Sequence, residues 1–590
     1  MKCRVLIFVF TICLWSPEGL FAQELGTTSG EWPTYGGNLS NDRYSPLDQV
    51  TAENFSDMEI AWQFSTDSFG PSPESNFQST PLMINGVLFT TAGTRRAVVA
   101  LDAATGELLW MYRLEEGERG ETAPRRLSGR GLTYWDDGDE GVILYVTPGY
   151  QLVALNAGTG LPVAAFGSSG IVDLKQNIDQ DLEPTSEIGL HAAPIVAGNT
   201  IVIGAAHRPG GAPPSRENVK GYIRGFELRT GDRQWIFHTI PGADEFGNDT
   251  WPGDSWQTGG APVWVTGTYD PELNLSFWGT GNPGPWIGDV RPGDNLYTNS
   301  VVALDVTTGE LKGYHQYHWN GSWDWDEVSP PILMDLERDG RVVKGLVHAG
   351  RNGYLWELER TAEGINFIGA KPYVSQNVFT ALDPQTGRPE YDLEHKPETG
   401  KAAYFCPSLS GGKNWPPAAY SPQTGYLYIP ANENLCSTLE GEEVTYREGQ
   451  RFMGADIQLH VAEGASHIGE LQAWDMASGT QVWTHEFELN NWGPVLATAG
   501  GLVFAGGTPD RYFRAFDAAS GEVLWEQRTN SGITAVPSTY SVDGIQYVAV
   551  QSGWGVDAQR MLGRIDQNLG TTTAVPQGGV LWVFALDQGR

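Results

Sequence analysis

Val98-Val-Ala-Leu-Asp-Ala-Ala-Thr-Gly-Glu-Leu-Leu-Trp110 reads as the end of one strand, a tight turn from Asp102 to Gly106, and the start of a second strand that closes on an indole. The turn follows from its residues. Asp102 bonds backbone amides two residues on, Thr105 bridges them, and Gly106 takes a positive φ without steric cost. The pattern then recurs. Ala154-Leu-Asn-Ala-Gly-Thr-Gly160, Gly225-Phe-Glu-Leu-Arg-Thr-Gly231 and Ala303-Leu-Asp-Val-Thr-Thr-Gly309 keep the small residue, the acid or amide, and the Thr-Gly at fixed offsets. Ala473-Trp-Asp-Met-Ala-Ser-Gly479 and Ala515-Phe-Asp-Ala-Ala-Ser-Gly521, followed by Trp483 and Trp525, complete six copies.

A unit this short cannot bury its own indole, so neighbouring units must stack, and for sheets that solution is a propeller. The copies start 54, 71 and 78 residues apart at Ala100, Ala154, Gly225 and Ala303, and 42 apart at Ala473 and Ala515. Four short strands need about 40 to 50 residues per blade, so the wide gaps imply long loops. Weaker echoes lie at Ala61-Trp62, Tyr354-Leu-Trp-Glu-Leu-Glu359 and Val580-Leu-Trp-Val-Phe-Ala-Leu-Asp587. Together they predict an all-β, eight-bladed β-propeller with Trp-docking repeats. The last echo lacks a return strand, which predicts that the two chain termini share one blade.

With 590 residues and one pattern from about residue 60 to the end, residues 23–590 read as a single domain. Residues 1–22 read as a secretory signal peptide. Lys2 and Arg4 precede an apolar run from Val5 to Trp15, and Leu20-Phe-Ala22 offers a cleavage site. That run is short of the ~20 residues a membrane span needs, so no spanning segment is expected in the mature chain and a periplasmic address follows. The net charge of −34 disfavours nucleic acid and favours basic protein partners, through a field that salt weakens. Two cysteines remain after processing, Cys406 and Cys436, and can pair in an oxidising compartment. No Cys-x-x-Cys-His occurs, so the chain has no c-type haem of its own.

Propellers carry function on loops at one mouth of the channel. Four stretches qualify: Leu127-Ser-Gly-Arg-Gly-Leu-Thr-Tyr-Trp135, the long loop from His207 to Glu217, Trp278-Gly-Thr-Gly-Asn-Pro-Gly-Pro-Trp286, and His318-Trp-Asn-Gly-Ser-Trp-Asp-Trp-Asp-Glu327. The last packs three carboxylates and three indoles into ten residues. That composition suggests a desolvated acidic site where an Asp acts as a general base or ligates a hard cation; the plain alternative is a solvated acidic loop with docking tryptophans.

Taken in order, Arg130-Gly-Leu-Thr-Tyr-Trp135, Gly279-Thr-Gly-Asn-Pro283, Trp323-Asp-Trp-Asp326, Arg351-Asn-Gly353 and Asn414-Trp-Pro-Pro417 resemble the haem-free quinoprotein dehydrogenases. These enzymes carry pyrroloquinoline quinone (PQQ) in an eight-bladed propeller. The resemblance implies Asp324 as catalytic base and Asn282, Asp324 and Asp326 around a cation, calcium first and a lanthanide second. It implies Trp264 flat against the quinone, with Arg130, Arg351, Asn414 and Trp492 as further cofactor contacts. Gln78 stands where the family has Glu or Gln, and Cys406 and Cys436 match a structural disulfide.

The sequence also departs from the family pattern. The paired cysteines that cover the other face of PQQ in many members fall near Pro124-Arg125. His191 replaces an expected threonine, and a carboxylate ligand expected after Ile203-Gly204 is missing, with Glu217 as the one acid that could reach in. These changes lean toward sugar- and polyol-oxidising relatives. The function implied is oxidation of a small alcohol, polyol or sugar, with electrons passed to an external acceptor such as a soluble cytochrome c. A non-catalytic envelope scaffold is the alternative, and it gives Arg130, Asn282, Asp324, Arg351 and Asn414 nothing to do.

Overall fold

In the first copy, Ala97–Asp102 and Leu108–Tyr112 pair antiparallel across the turn. Asp102 Oδ1 accepts from the amides of Ala104 (3.1 Å) and Thr105 (2.8 Å) and from the Thr105 hydroxyl (2.8 Å). Gly106 has φ +75°. This is a computed structural model, and it describes residues 26–70, 72–136, 138, 140–207, 219–338, 340–444 and 454–587. The signal peptide (1–22) and Glu217 lie outside the described residues.

The same bonding appears at Asn156 and Thr159, Asp305 and Thr308, Asp475 and Ser478, and Asp517 and Ser520. A further copy escaped the sequence reading. In Asp383-Pro-Gln-Thr-Gly387, Asp383 Oδ1 takes the Gln385 amide (3.0 Å) and the Thr386 amide and hydroxyl (both 2.8 Å). It closes a small hairpin of Phe379–Leu382 and Pro389–Tyr391.

Four docking indoles are tied to the next sheet's turn. Trp62 Nε1 donates to Ala103 O (3.2 Å), Trp110 to Ala157 O (2.9 Å), Trp235 to Val306 O (2.9 Å) and Trp483 to Ala518 O (3.1 Å). The turn glycines are required twice over. Besides their positive φ, a Cβ at Gly106, Gly160, Gly309 or Gly521 would stand 2.5 Å from the docked indole. Gly106→Ala is therefore expected to lose about 2 to 4 kcal/mol from αL strain and overpacking together, read as a shift in the denaturant midpoint at unchanged slope.

Among the described residues there are eight sheets of four or more strands, antiparallel throughout apart from one short edge strand. Met58–Ser65 pairs antiparallel with Val580–Leu586, so the two ends of the chain complete one sheet. Tyr44–Ser45 adds a parallel edge to Val495–Thr498. No described helix is long and apolar enough to cross a membrane.

Two additions lie outside the repeat and shape the site. Ala402–Phe405, Leu435–Gly441 and Ala455–Val461 form a three-stranded sheet. An α-helix, Val556–Leu569, is inserted into this mostly-strand chain between two strands of the closing sheet. It buries Ala558, Met561, Leu562 and Ile565, and Asn568 ties it to the small sheet through Val461 N (3.1 Å) and Leu459 O (3.1 Å). Cys406 and Cys436 are disulfide-bonded, with Cα atoms 4.4 Å apart. The bridge joins the small sheet to the loop running on to Asn414. Its removal by Cys406→Ser with Cys436→Ser should cost about 3 to 4 kcal/mol in the chain-entropy picture, measured by denaturant unfolding of the two proteins side by side.

Candidate active site

The segment from Trp323 to Asp326 is an irregular loop that sends its indoles and its carboxylates to different sides. Trp323 and Trp325 turn inward, stack at 5.1 Å, and donate to His395 O (2.9 Å) and Ser408 O (2.8 Å). Asp324 and Asp326 face the other way and line a cavity of ≈ 410 Å³. Asp324 holds φ +67°, a left-handed backbone state that Asp and Asn tolerate better than most residues. Trp319, the third indole, lies apart, stacked on Tyr391 at 4.7 Å.

Asn282 joins the two carboxylates. Its Nδ2 donates to Asp324 Oδ1 (2.6 Å) and its backbone amide to Asp326 Oδ1. Trp264 Nε1 donates to Asp326 Oδ2 (3.1 Å). Burial pushes Asp324 well above the ordinary carboxylate range; Arg351 opposes it, Asp326 adds to it, and Arg560 pulls down more weakly. Burial also raises Asp326, against Arg351 and the two N–H groups it accepts. Glu327 behaves oppositely. Burial raises it, but the bond from His348 (2.8 Å) and the amides of Arg351 (3.0 Å) and Asn352 (3.2 Å) leave it below its usual value.

Around the Trp264 ring stand three guanidinium groups: Arg130 at 5.0 Å, Arg351 at 5.6 Å and Arg125 at 5.9 Å from its centroid. Arg130 also lies 4.1 Å over Trp415 and donates to Trp264 O (3.0 Å). Arg351 donates to Asp324 O (2.9 Å) and to Asn414 Oδ1 (3.0 Å). Trp492 completes the wall. The Nε of Arg130, the Nε of Arg351 and the Nε1 of Trp492 are buried without a protein acceptor. Buried donors left over around a flat ring fit a planar ligand that carries several acceptors and negative charge. That is the chemistry of a tricarboxylate quinone.

Two of the anticipated residues, His191 and Gln78, are not among those lining the cavity. His191 O accepts the Arg130 amide (2.6 Å), and its ring Nδ1 lies 3.4 Å from the Arg130 guanidinium. Burial, reinforced by Arg130, Arg125 and Arg96, drives the His191 imidazole well down, so it is neutral. Gln78 is buried two residues before Thr80, whose amide donates to Arg130 O (3.2 Å). Among the described residues no cluster of three or more His, Cys, Asp or Glu is placed to hold a metal. The oxygen donors gathered here are two carboxylates and one amide, a hard set suited to calcium or a larger trivalent ion.

Pro124 and Arg125 line the cavity where the paired cysteines of the family are missing. The helix Val556–Leu569 was not anticipated, yet Asp557, Arg560, Met561 and Arg564 on it line the same cavity. Its signal was in the sequence: Ala558, Met561, Leu562 and Ile565 follow helical spacing.

The family described as PQQ glucose/ethanol/alcohol dehydrogenase, β-propeller domain, matches residues 32–366 and 486–548. The chain is 35% identical over 578 residues to quinoprotein alcohol dehydrogenase PedH of Pseudomonas putida KT2440, covering 94% of this chain and 90% of PedH. It is 31% identical to the lanthanide-dependent methanol dehydrogenase of Methylacidiphilum fumariolicum, covering 95% and 93%. The solved structure of a europium-containing methanol dehydrogenase superposes with a TM-score of 0.84 at 30% identity, covering 95% of this chain and 99% of that one. With its buried carboxylate pair, its arginine-ringed indole and these relatives, the chain belongs to the PQQ-type glucose/ethanol/alcohol dehydrogenase β-propeller family.

Proposed function

We propose that this chain is a periplasmic dehydrogenase that uses PQQ and a hard cation to oxidise an alcohol, polyol or sugar. In this reading its eight sheets are the blades of one ring around the cavity. The grouping of three guanidinium groups about Trp264, with the Asp324 carboxyl on the same cavity wall, carries the reading. When bound, PQQ supplies the two-electron acceptor for hydride from the alcohol carbon.

The rest falls to the chain's own residues. Trp264 offers contact area to a planar ring. Arg130 and Arg351 orient its carboxylate and quinone oxygens, and Asn414 and Trp492 add contacts. His191 acts from behind by fixing Arg130, and Gln78, whose buried Oε1 has no protein partner, adds a further cofactor contact. Asp324 takes the alcohol proton, and burial makes it a stronger base than an exposed carboxylate. Asn282, Asp324 and Asp326 hold the cation; a half-turn of the Asn282 amide presents Oδ1 in place of Nδ2. Calcium and a lanthanide both suit these donors, and two relatives named for a lanthanide and for europium give the trivalent ion its support. The acidic chain (net −34) suits a small basic cytochrome c as electron acceptor, an encounter that added salt slows.

Loading the protein with PQQ and either calcium or lanthanum, then following cofactor absorbance and dye reduction over an alcohol panel, tests the reading. Bound cofactor with alcohol-dependent dye reduction is expected. Neither signal at saturating PQQ with both metals would leave the scaffold reading in its place.

A further inference from the structure

The hairpin of Phe379–Leu382 and Pro389–Tyr391 stands outside the eight large sheets, and the short turn after it, Leu393–His395, ends against the segment that carries Asp324. Trp319 is held there by three contacts. Its Nε1 donates to Pro389 O (2.9 Å), its carbonyl accepts the Tyr391 hydroxyl (2.6 Å), and its ring stacks on Tyr391 at 4.7 Å. Trp323, the neighbour of Asp324, donates to His395 O (2.9 Å) and meets the Tyr391 ring edge-on at 5.0 Å.

Lys396 stands at the centre of this contact. Its Nζ lies 5.2 Å from the Trp319 centroid, 5.5 Å from that of Tyr391 and 5.9 Å from that of Trp323, and it donates to Asn320 Oδ1 (2.6 Å). The side chain is buried. Burial, with Arg291 adding to it, lowers the ammonium to about 8 against Glu398 and Asp289, so it is charged at neutral pH. A buried cation that faces three rings and a neutral amide loses hydration that an apolar side chain of the same length would never have needed. The rings return part of that loss, most where water is excluded. A charge kept at such a cost is explained by what it joins rather than by stability alone.

Asn320 carries the hold across to a second segment. Its Nδ2 is turned to Gly288 O (3.2 Å), Arg291 O (3.0 Å) and Gly293 O (3.0 Å), in the loop that runs on from Asn282, and the Gly288 amide donates to Ser322 Oγ (2.9 Å). We infer that Lys396 is a positioning residue for the reaction: by seating Trp319, Asn320 and Trp323 it fixes the Asp324 segment against the Asn282 segment, and so sets the spacing of the donors assigned to the cation. Lys396 is not among the residues that line the cavity, so it acts only through these neighbours. The inference rests on the dehydrogenase reading above and adds to it a support that comes from outside the repeat.

The test uses full-length protein loaded with PQQ. Lys396→Met keeps the length of the stem and removes the charge, Lys396→Gln keeps a donor for Asn320 without charge, and Lys396→Arg keeps the charge. Calorimetric titration with calcium and with lanthanum gives metal affinity apart from turnover, and a series of simple alcohols at saturating metal gives kcat and KM. Lys396→Met is expected to bind metal about tenfold more weakly and to lower kcat about tenfold while alcohol KM stays within about twofold, since removing an outer support displaces the reacting groups more than it changes substrate binding. Lys396→Gln falls between, and Lys396→Arg recovers most of both losses. Unfolding midpoints show which variants fold; if Lys396→Met does not, Lys396→Gln carries the same comparison. A lowered midpoint with metal affinity and kcat both within about twofold of the parent would mean that Lys396 only braces the fold, which overturns the inference. An Arg variant no better than Met overturns it too, and both results leave the dehydrogenase reading standing. A parent protein that binds neither PQQ nor metal and oxidises no alcohol overturns both.

Discussion

Asp324→Asn lowers kcat by about 10³-fold while PQQ remains bound, since a positioned general base contributes on the order of 10² to 10⁴. The substitution is close to isosteric, and Asn tolerates the left-handed backbone that this position requires (φ +67°). The indoles of Trp323 and Trp325 on either side keep their bonds to His395 O and Ser408 O, so the segment keeps its shape. What disappears is a buried carboxylate whose basicity burial has raised. Because Asp324 is also assigned to the cation, metal content must be measured alongside turnover. Lost turnover with metal and PQQ retained supports the base. Turnover restored by excess metal shows that Asp324 only holds the ion, and a kcat within tenfold of the parent refutes the assignment.

The parts of this protein that were legible in its sequence are those where a local rule acts alone. An Asp or Asn, a Thr or Ser, and a Gly at fixed offsets make the same turn wherever they occur, because their bonds close within five residues. In Trp323-Asp-Trp-Asp326, a loop rather than a strand, the sorting of indoles from carboxylates instead depends on distant acceptors, His395 O and Ser408 O, which hold the two rings. The docking role of the turn glycines could not be read locally, because the indole that rests on Gly106 is Trp62 and the one that rests on Gly309 is Trp235. The Asp383 turn keeps the same residues at the same offsets, Ala381-Leu-Asp-Pro-Gln-Thr-Gly387, yet closes a two-stranded hairpin, and its Gly387 packs against Phe367 instead of an indole. The helix was missed for a different reason. Its apolar positions have helical spacing, but they sit between two strands of the closing sheet, where the repeat led one to expect only β structure. Depth was invisible as well. Nothing in the sequence tells that His191 backs Arg130 while Arg560 and Arg564 line the cavity.

Replacing Arg351 tests the inner cavity. Arg351→Met is expected to weaken PQQ binding by about 10²-fold or more, as truncating one member of a buried charged network usually does. The side chain joins three segments: it donates to Asp324 O (2.9 Å) and Asn414 Oδ1 (3.0 Å), and it stands 3.8 Å from Asp326 and 5.6 Å from the Trp264 centroid. Its backbone is fixed separately, by the Glu327 carboxylate that also binds His348. The main chain therefore has a hold that the substitution does not touch. Arg351→Lys restores the charge, but an ammonium cannot reach Asp324 O and Asn414 Oδ1 together as the planar fork does. If charge alone matters, Lys binds PQQ nearly as well as Arg; if the fork matters, Lys falls close to Met. The fork is the expected answer, since the guanidinium spans two segments from one wall of the cavity. Titration of the metal-loaded apoprotein with PQQ, read by Trp264-centred fluorescence quenching, distinguishes the three proteins. Equal affinity in all three would mean that Arg351 only braces the wall, and that the cofactor's orientation falls to Arg130.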